Sequence, residues 1–150
     1  MTELELWEKY VKTTGLGDEA KYSGNFGFEA KGFAGAERLA SLLAGKKTAA
    51  FFSYATFAVD NEELPVSDER YIVCGSGREA LCVIKITGVQ IVPFDQVTWD
   101  MAAREGEDSS LEEWRDRERE NLEDEGAVVG FEFSSDIKLV YVEFEVAFRA

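Results

Sequence analysis

Two adjacent lysines, Lys46 and Lys47, stand directly behind Gly45 and directly ahead of the β-prone run Thr48-Ala49-Ala50-Phe51-Phe52. Glycine just past the last apolar turn is the usual helix stop, because it enters the left-handed region without steric cost. The chain therefore leaves a helix and enters a strand at these lysines, and strand alternation sends the two side chains to opposite sides. One of them can reach solvent while the other is held against the fold. A fixed ammonium at such a junction can contact a phosphate or a polar base edge or, once desolvated, act as a base. The plain alternative is a pair of lysines that only offsets the helix dipole, worth about 0.3–1 kcal/mol. The segment is not a phosphate-binding P-loop. That motif needs glycine where Ala40 stands and Ser or Thr where Lys47 stands.

Composition narrows the chemistry further. The sequence has no histidine, which removes Ser-His-Asp and Cys-His triads and histidine-ligated zinc. Acid–base work is left to carboxylates, lysine, tyrosine and cysteine. Cys74 and Cys82 flank an expected hairpin turn; they are too few for a zinc site and read as two reduced thiols. No metal and no cofactor are expected. With 30 acidic against 16 basic residues the net charge is −14, which argues against tight nonspecific binding of duplex DNA. A small basic groove for a nucleotide or a few unpaired bases remains compatible with it. A chain of 150 residues with 45% hydrophobic content suits one domain, 1–150, with a buried core. No apolar run approaches the length of a membrane span and Met1-Thr2-Glu3-Leu4-Glu5 lacks the basic start of a signal sequence, so the expected location is cytoplasmic, away from membranes.

The elements that must position these groups follow from periodicity. Thr2 and Glu5 fit a capping box for a helix to about Lys12, with Leu4, Trp7, Tyr10 and Val11 as its stripe. Gly15 to Gly35, with Tyr22, Phe26, Phe28 and Phe33, reads as an irregular packed connection. A second helix from about Gly35 buries Ala36, Leu39, Ala40 and Leu43 and stops at Gly45; Thr48 to Tyr54 is then a strand. Asp60 to Asp68 is a polar turn, and Tyr71–Cys74 with Leu81–Val92 forms a hairpin around Gly75–Glu79. Gly88 marks a bulge in the longer strand. Thr98 caps a short helix to about Arg104, and Ser109 or Ser110 starts one carrying Leu111, Trp114 and Leu122. The alternating run Arg115–Glu120 reads as that helix's solvated face. Phe131 and Phe133 belong to a short strand. Lys138 to Phe148 alternates, turning Val140, Val142, Phe144, Val146 and Phe148 to one core, and should pair centrally in a curved sheet, with fewer strands in the first half of the chain than in the second.

The order of motifs resembles the ASCH domain family. The likeness is carried by Leu42-Leu43-Ala44-Gly45-Lys46-Lys47-Thr48-Ala49, by Ile91-Val92-Pro93-Phe94-Asp95-Gln96-Val97-Thr98, by Ala103-Arg104-Glu105-Gly106-Glu107, by Ser110-Leu111-Glu112-Glu113-Trp114-Arg115 and by Val142-Glu143-Phe144-Glu145-Val146. It covers roughly Phe33 to Phe148, leaving 1–32 as the N-terminal helix and the aromatic, glycine-rich connection. The resemblance implies an α+β, PUA-like small β-barrel of about five or six mostly antiparallel strands with helices packed outside. It also implies binding of RNA or a nucleoside-like small molecule; some relatives are nucleases, and a shorter one hydrolyses N4-acetylcytidine with a lysine, a threonine and a glutamate. Residue by residue, the lysine falls on Lys47 and the glutamate on Glu105. The threonine falls on Ala50, which cannot be a nucleophile. Thr48, two residues earlier on the same strand face, could replace it only with the substrate shifted by about 6–7 Å.

Three functions from different classes are in play. One is a module that binds RNA or a modified nucleoside at the barrel mouth, with Lys46, Lys47 and Glu105 as polar contacts and Tyr54 stacking on the base. Another is a hydrolase, an amidohydrolase or ribonuclease, using Lys47 and Glu105 with Thr48 or water as the attacking group. A third is a protein-interaction domain presenting the charged helix. Ala50 and the net charge weigh against the hydrolase, and the ordered motif set against the interaction domain. The binding module is the preferred expectation.

Overall fold

A computed structural model describes residues 1–17, 20–26, 32–75 and 77–150. Phe28 and Ser76 lie outside the described residues, as do the side chains of Phe26, Phe33 and Ala36. Helix α1 (Glu3–Thr14) begins where Thr2 accepts a hydrogen bond from the Glu5 N–H at 3.1 Å, as the capping pattern requires. It buries Leu6, Trp7 and Tyr10, while Leu4 faces solvent. Strand β1 (Gly24–Phe26) follows, then α2 (Gly32–Leu43), β2 (Ala49–Ser53) and α3 (Tyr54–Asp60). Strands β3 (Arg70–Cys74) and β4 (Ala80–Pro93) form the expected hairpin. A 3-10 turn, Phe94–Gln96, leads to α4 (Trp99–Ala103), α5 (Leu111–Val129) and β5 (Lys138–Arg149).

The five strands make one sheet in the order β1-β3-β4-β5-β2. β1 runs parallel to β3 and the other neighbours are antiparallel. The α+β class holds, but the sheet is open: among the described residues no ladder joins β1 to β2, so the expected barrel is not closed. β5 pairs on both sides, with β4 and β2, as its apolar pattern predicts. The register of β4 against β5 shifts between Ile86 and Gly88, at the glycine read as a bulge.

Several expectations are corrected. Three of the five strands lie in the first half of the chain, although the second half holds the two longest. β5 is buried on both faces, because α4 and α5 cover the face opposite to α2: Val140, Val142 and Phe144 join one core cluster, Leu139 and Tyr141 another. Phe131 and Phe133 form no strand; their side chains pack beside Trp114 and Phe94 in that second cluster. The strand from Thr48 is shorter than expected, since the Ser53 hydroxyl caps α3 by accepting from the Thr56 N–H. No helix among the described residues is long and apolar enough to cross a membrane.

Candidate functional site

The lysine pair is fixed by the end of α2. Gly45 adopts a φ of 80°, and the backbone N–H groups of Lys46 and Lys47 both donate to the Ser41 carbonyl, at 2.9 and 3.1 Å. Lys46 emerges into solvent; Lys47 is 3% exposed. The next residues are stitched to the loop after α4: the N–H groups of Thr48 and Ala49 donate to the Arg104 carbonyl at 2.8 and 3.2 Å. That contact sets Glu105, the following residue, against Lys47. The chain then turns at Gly106, φ 75°, where a side chain would press on Ser41 Oγ and the Lys46 carbonyl. Two segments 58 residues apart thus converge through backbone hydrogen bonds before any side chain takes part.

The Lys47 ammonium donates to the Glu105 carbonyl at 3.3 Å and lies 4.0 Å from its carboxylate. Burial lowers the Lys47 pKa, and the charges of Glu105 and Glu107 oppose that shift. The Glu105 carboxylate has closer partners: Oε1 accepts from Trp114 Nε1 and from Arg117 Nη2, each at 2.8 Å. Arg117 also grips Asp108 through Nε and Nη2 at 2.8–3.1 Å and approaches Glu107 at 3.3 Å. Burial alone would lower the Arg117 pKa, but the Asp108 hydrogen bonds and the Glu105 charge outweigh it and raise it. Arg38 closes the cluster with a 2.6 Å hydrogen bond to Glu107.

Above this cluster opens a cavity of about 530 Å³. Lys47, Ala50, Phe51 and Phe52 from the β2 side face Glu105, Glu118 and Asn121 across it, with Arg38, Arg117 and two further acids around them. The structure therefore brings Lys47, Glu105 and Ala50 together. Thr48 and Lys46 are not among the lining residues: Thr48 works through its backbone, its carbonyl accepting from the Phe144 N–H at 3.0 Å, and Lys46 borders a separate cavity with Ser41 and Gly106. Tyr54 is also elsewhere. It opens α3, half-exposed, with the Lys138 ammonium 5.9 Å from its ring centroid.

Arg117 and Glu118 are what the sequence reading missed, because alternating charges on a helix look like a solvated face. The signal that contradicts that reading is the i, i+4 row Trp114, Glu118, Leu122, Gly126, all four of which are buried. A carboxylate in the middle of that row has to face the core. Burial, then the neighbouring Glu105 charge, push the Glu118 carboxyl up to about 8, with Arg117 opposing. The cavity therefore sets an acid whose pKa burial raises opposite a lysine whose pKa burial lowers.

The family model described as the ASCH domain matches residues 26–147. The chain belongs to the ASCH domain family. The ASCH domain of Lactobacillus crispatus JV V101 is 26% identical, with a TM-score of 0.85 over 97% of this chain and 94% of that one. Protein EF3133 of Enterococcus faecalis V583, at 23% identity, superposes with a TM-score of 0.84 over 97% of this chain and 88% of its own. No curated protein matches the chain. In this ASCH domain the segments that carry Lys47 and Glu105 form two sides of one cavity.

Proposed function

We propose that this ASCH domain binds a nucleoside, or one unpaired base of a short RNA, in the Lys47–Glu105 cavity. The observation that carries the reading is the lining itself: aromatic walls from Phe51 and Phe52 beside an amide, Asn121, and a buried lysine–glutamate pair. A flat ring can lie along the apolar β2 edge, where Phe51 and Phe52 leave the sheet on opposite faces, and the polar groups can pair with base edges. The charges favour a neutral ligand over a phosphate chain. Arg38, Lys47 and Arg117 are matched by Glu105, Glu107, Glu118 and Glu125, and both arginines are already held by carboxylates.

Hydrolysis is the second reading, favoured by the opposed pKa shifts of Lys47 and Glu118 across one cavity. Against it stands Ala50 on the cavity wall, where the family pattern places a threonine nucleophile. The base is present and the hydroxyl is missing; losing a nucleophile typically removes several orders of magnitude in rate while substrate contacts survive.

Calorimetric titration with cytidine, N4-acetylcytidine and short single-stranded RNA, with product followed in parallel, separates the readings. We expect weak binding with negligible turnover of N4-acetylcytidine, a rate raised in Ala50→Thr, and that gain lost when Lys47→Ala is added. Rapid turnover by the unmodified chain would overturn the binding-only reading, and absence of binding to every probe would overturn both.

A further inference from the structure

The Lys47 cavity shares a wall with a second compartment of about 350 Å³; Phe51, Phe52, Glu118 and Glu125 line both. The two differ in charge. Three basic side chains line the first, whereas the described lining of the second has no basic residue and four acids, Glu62, Glu63, Glu118 and Glu125. Glu62 and Glu63 are exposed at its mouth, just past α3, and Glu125 is fixed by the Thr56 hydroxyl at 2.6 Å. Much of the remaining wall is aromatic: Phe52 and Phe57 meet edge to face with centroids 6.2 Å apart, and Tyr71 stands beside them.

Glu118 separates this compartment from an ordinary cluster of surface acids. Its side chain is about nine-tenths buried, at 9% exposure, and makes no hydrogen bond to any described residue. Its one ion contact is to Arg117 Nη1 at 3.6 Å, while the nearer contacts of Arg117 go to Glu105, Asp108 and Glu107. Buried polar groups are nearly always hydrogen-bonded, and the Glu118 oxygens, not wholly shut off from the cavity, have room for a donor. A ligand in the compartment can supply that donor. Aromatic faces attract organic cations through the ring quadrupole, more strongly where water is excluded, and carboxylates around them complete the pairing.

From this juxtaposition we infer that the second compartment takes a primary ammonium or guanidinium group, carried on an arm from the base that occupies the Lys47 cavity. The inference rests on the nucleoside reading for the ring and names its substrate class: base-modified nucleosides with a cationic substituent. Binding of the cation displaces the Glu118 proton, since the carboxyl titrates near 8 in the empty site through burial and the Glu105 charge. The charged groups facing Glu118 are Glu105 and Glu107 from the loop before α5, Arg117 and Glu125 on α5, Lys47 and Arg38 across the first cavity, and Glu62 and Glu63 across the second. Affinity for the cationic arm therefore rises with pH toward 8 and binding releases a proton.

The test is calorimetric titration of the full chain with N4-(4-aminobutyl)cytidine, its neutral counterpart N4-butylcytidine, cytidine and 1,4-diaminobutane alone. We expect the aminobutyl nucleoside to bind at least about tenfold more tightly than the butyl one. That advantage should shrink in Glu118→Gln and in the surface double variant Glu62→Gln with Glu63→Gln, whose exposed positions leave folding intact. Equal affinities for the two nucleosides, or an advantage that survives both variants, overturn the inference. If neither cytidine nor its derivatives bind, the nucleoside reading fails, and 1,4-diaminobutane decides for the compartment. Binding weakened by Glu118→Gln then keeps the cation site, and no binding removes it.

Discussion

Glu118 has consequences for stability as well as for ligands. Its folded-state pKa, about 8, lies above the roughly 4.3 of an unfolded glutamate. Between those values the folded chain holds a proton that the unfolded chain has released, so stability falls as pH rises through that window and the full loss is present above it. Lys47 works in the opposite sense: its folded pKa lies below that of free lysine, so its contribution rises with pH. Comparing the chain with Glu118→Gln at each pH cancels the lysine and isolates the acid. The glutamine keeps the shape and stays neutral. We expect the melting temperature of Glu118→Gln to gain on the parent from pH 5 to pH 8.5, measured by thermal unfolding. A difference that is flat across that range would mean Glu118 is ionised in the folded chain throughout.

At the scale of elements, the sequence marks the boundaries at both ends of the lysine–glutamate pair, but it was the likeness to the ASCH domain family that brought the two together. Gly45 ends one helix, Thr98 caps another, and Arg104 lies just beyond it; that this loop meets β2 is seen only in the fold. The same reading could not see which strand faces are covered from both sides. Leu139 and Tyr141 alternate with Val140 and Val142, and only the packing of α4 and α5 makes the former as buried as the latter. Charge alternation concealed Arg117 and Glu118 for a related reason, since a helix packed over an ionic cluster repeats the pattern of one facing water. The short helix α3 lay unrecognised between a strand and a turn, its start set by the Ser53 hydroxyl. α5 also shows where propensity misleads. Alanine normally gains about 1 kcal/mol over glycine inside a helix. At Gly126, however, a Cβ would overlap the Phe131 carbonyl and sit 3.2 Å from its ring atoms. The Gly126 carbonyl accepts from the N–H groups of both Gly130 and Phe131, at 2.8 and 3.2 Å, so the return of the chain is tied to this residue. Gly126→Ala should therefore destabilise by about 1–3 kcal/mol, read from the denaturant midpoint. A stabilised variant would show that the Phe131 segment yields without loss.

For the whole molecule, charge sets what kind of nucleic-acid ligand is compatible with the cavity. A protein that clamps phosphates releases counterions, and its affinity for single strands falls with salt at a log–log slope of about −0.7 per phosphate neutralised. With a net charge of −14, this ASCH domain repels a polyanion at long range. Near the cavity, Arg117 is committed to Asp108, Glu105 and Glu107, Arg38 to Glu107, and Lys47 is buried. Lys46 remains exposed at the edge of a neighbouring cavity. One or two phosphate contacts are the most this arrangement supports, so binding of a short single-stranded RNA should show a slope no steeper than about −1.4. A free nucleoside should bind with almost no salt dependence, and duplex DNA should not bind at physiological ionic strength. Titrations at several salt concentrations decide the matter. A slope several times steeper would require a cationic track along the surface, and recognition would then rest on the backbone of the strand and not on a base held in the Lys47 cavity.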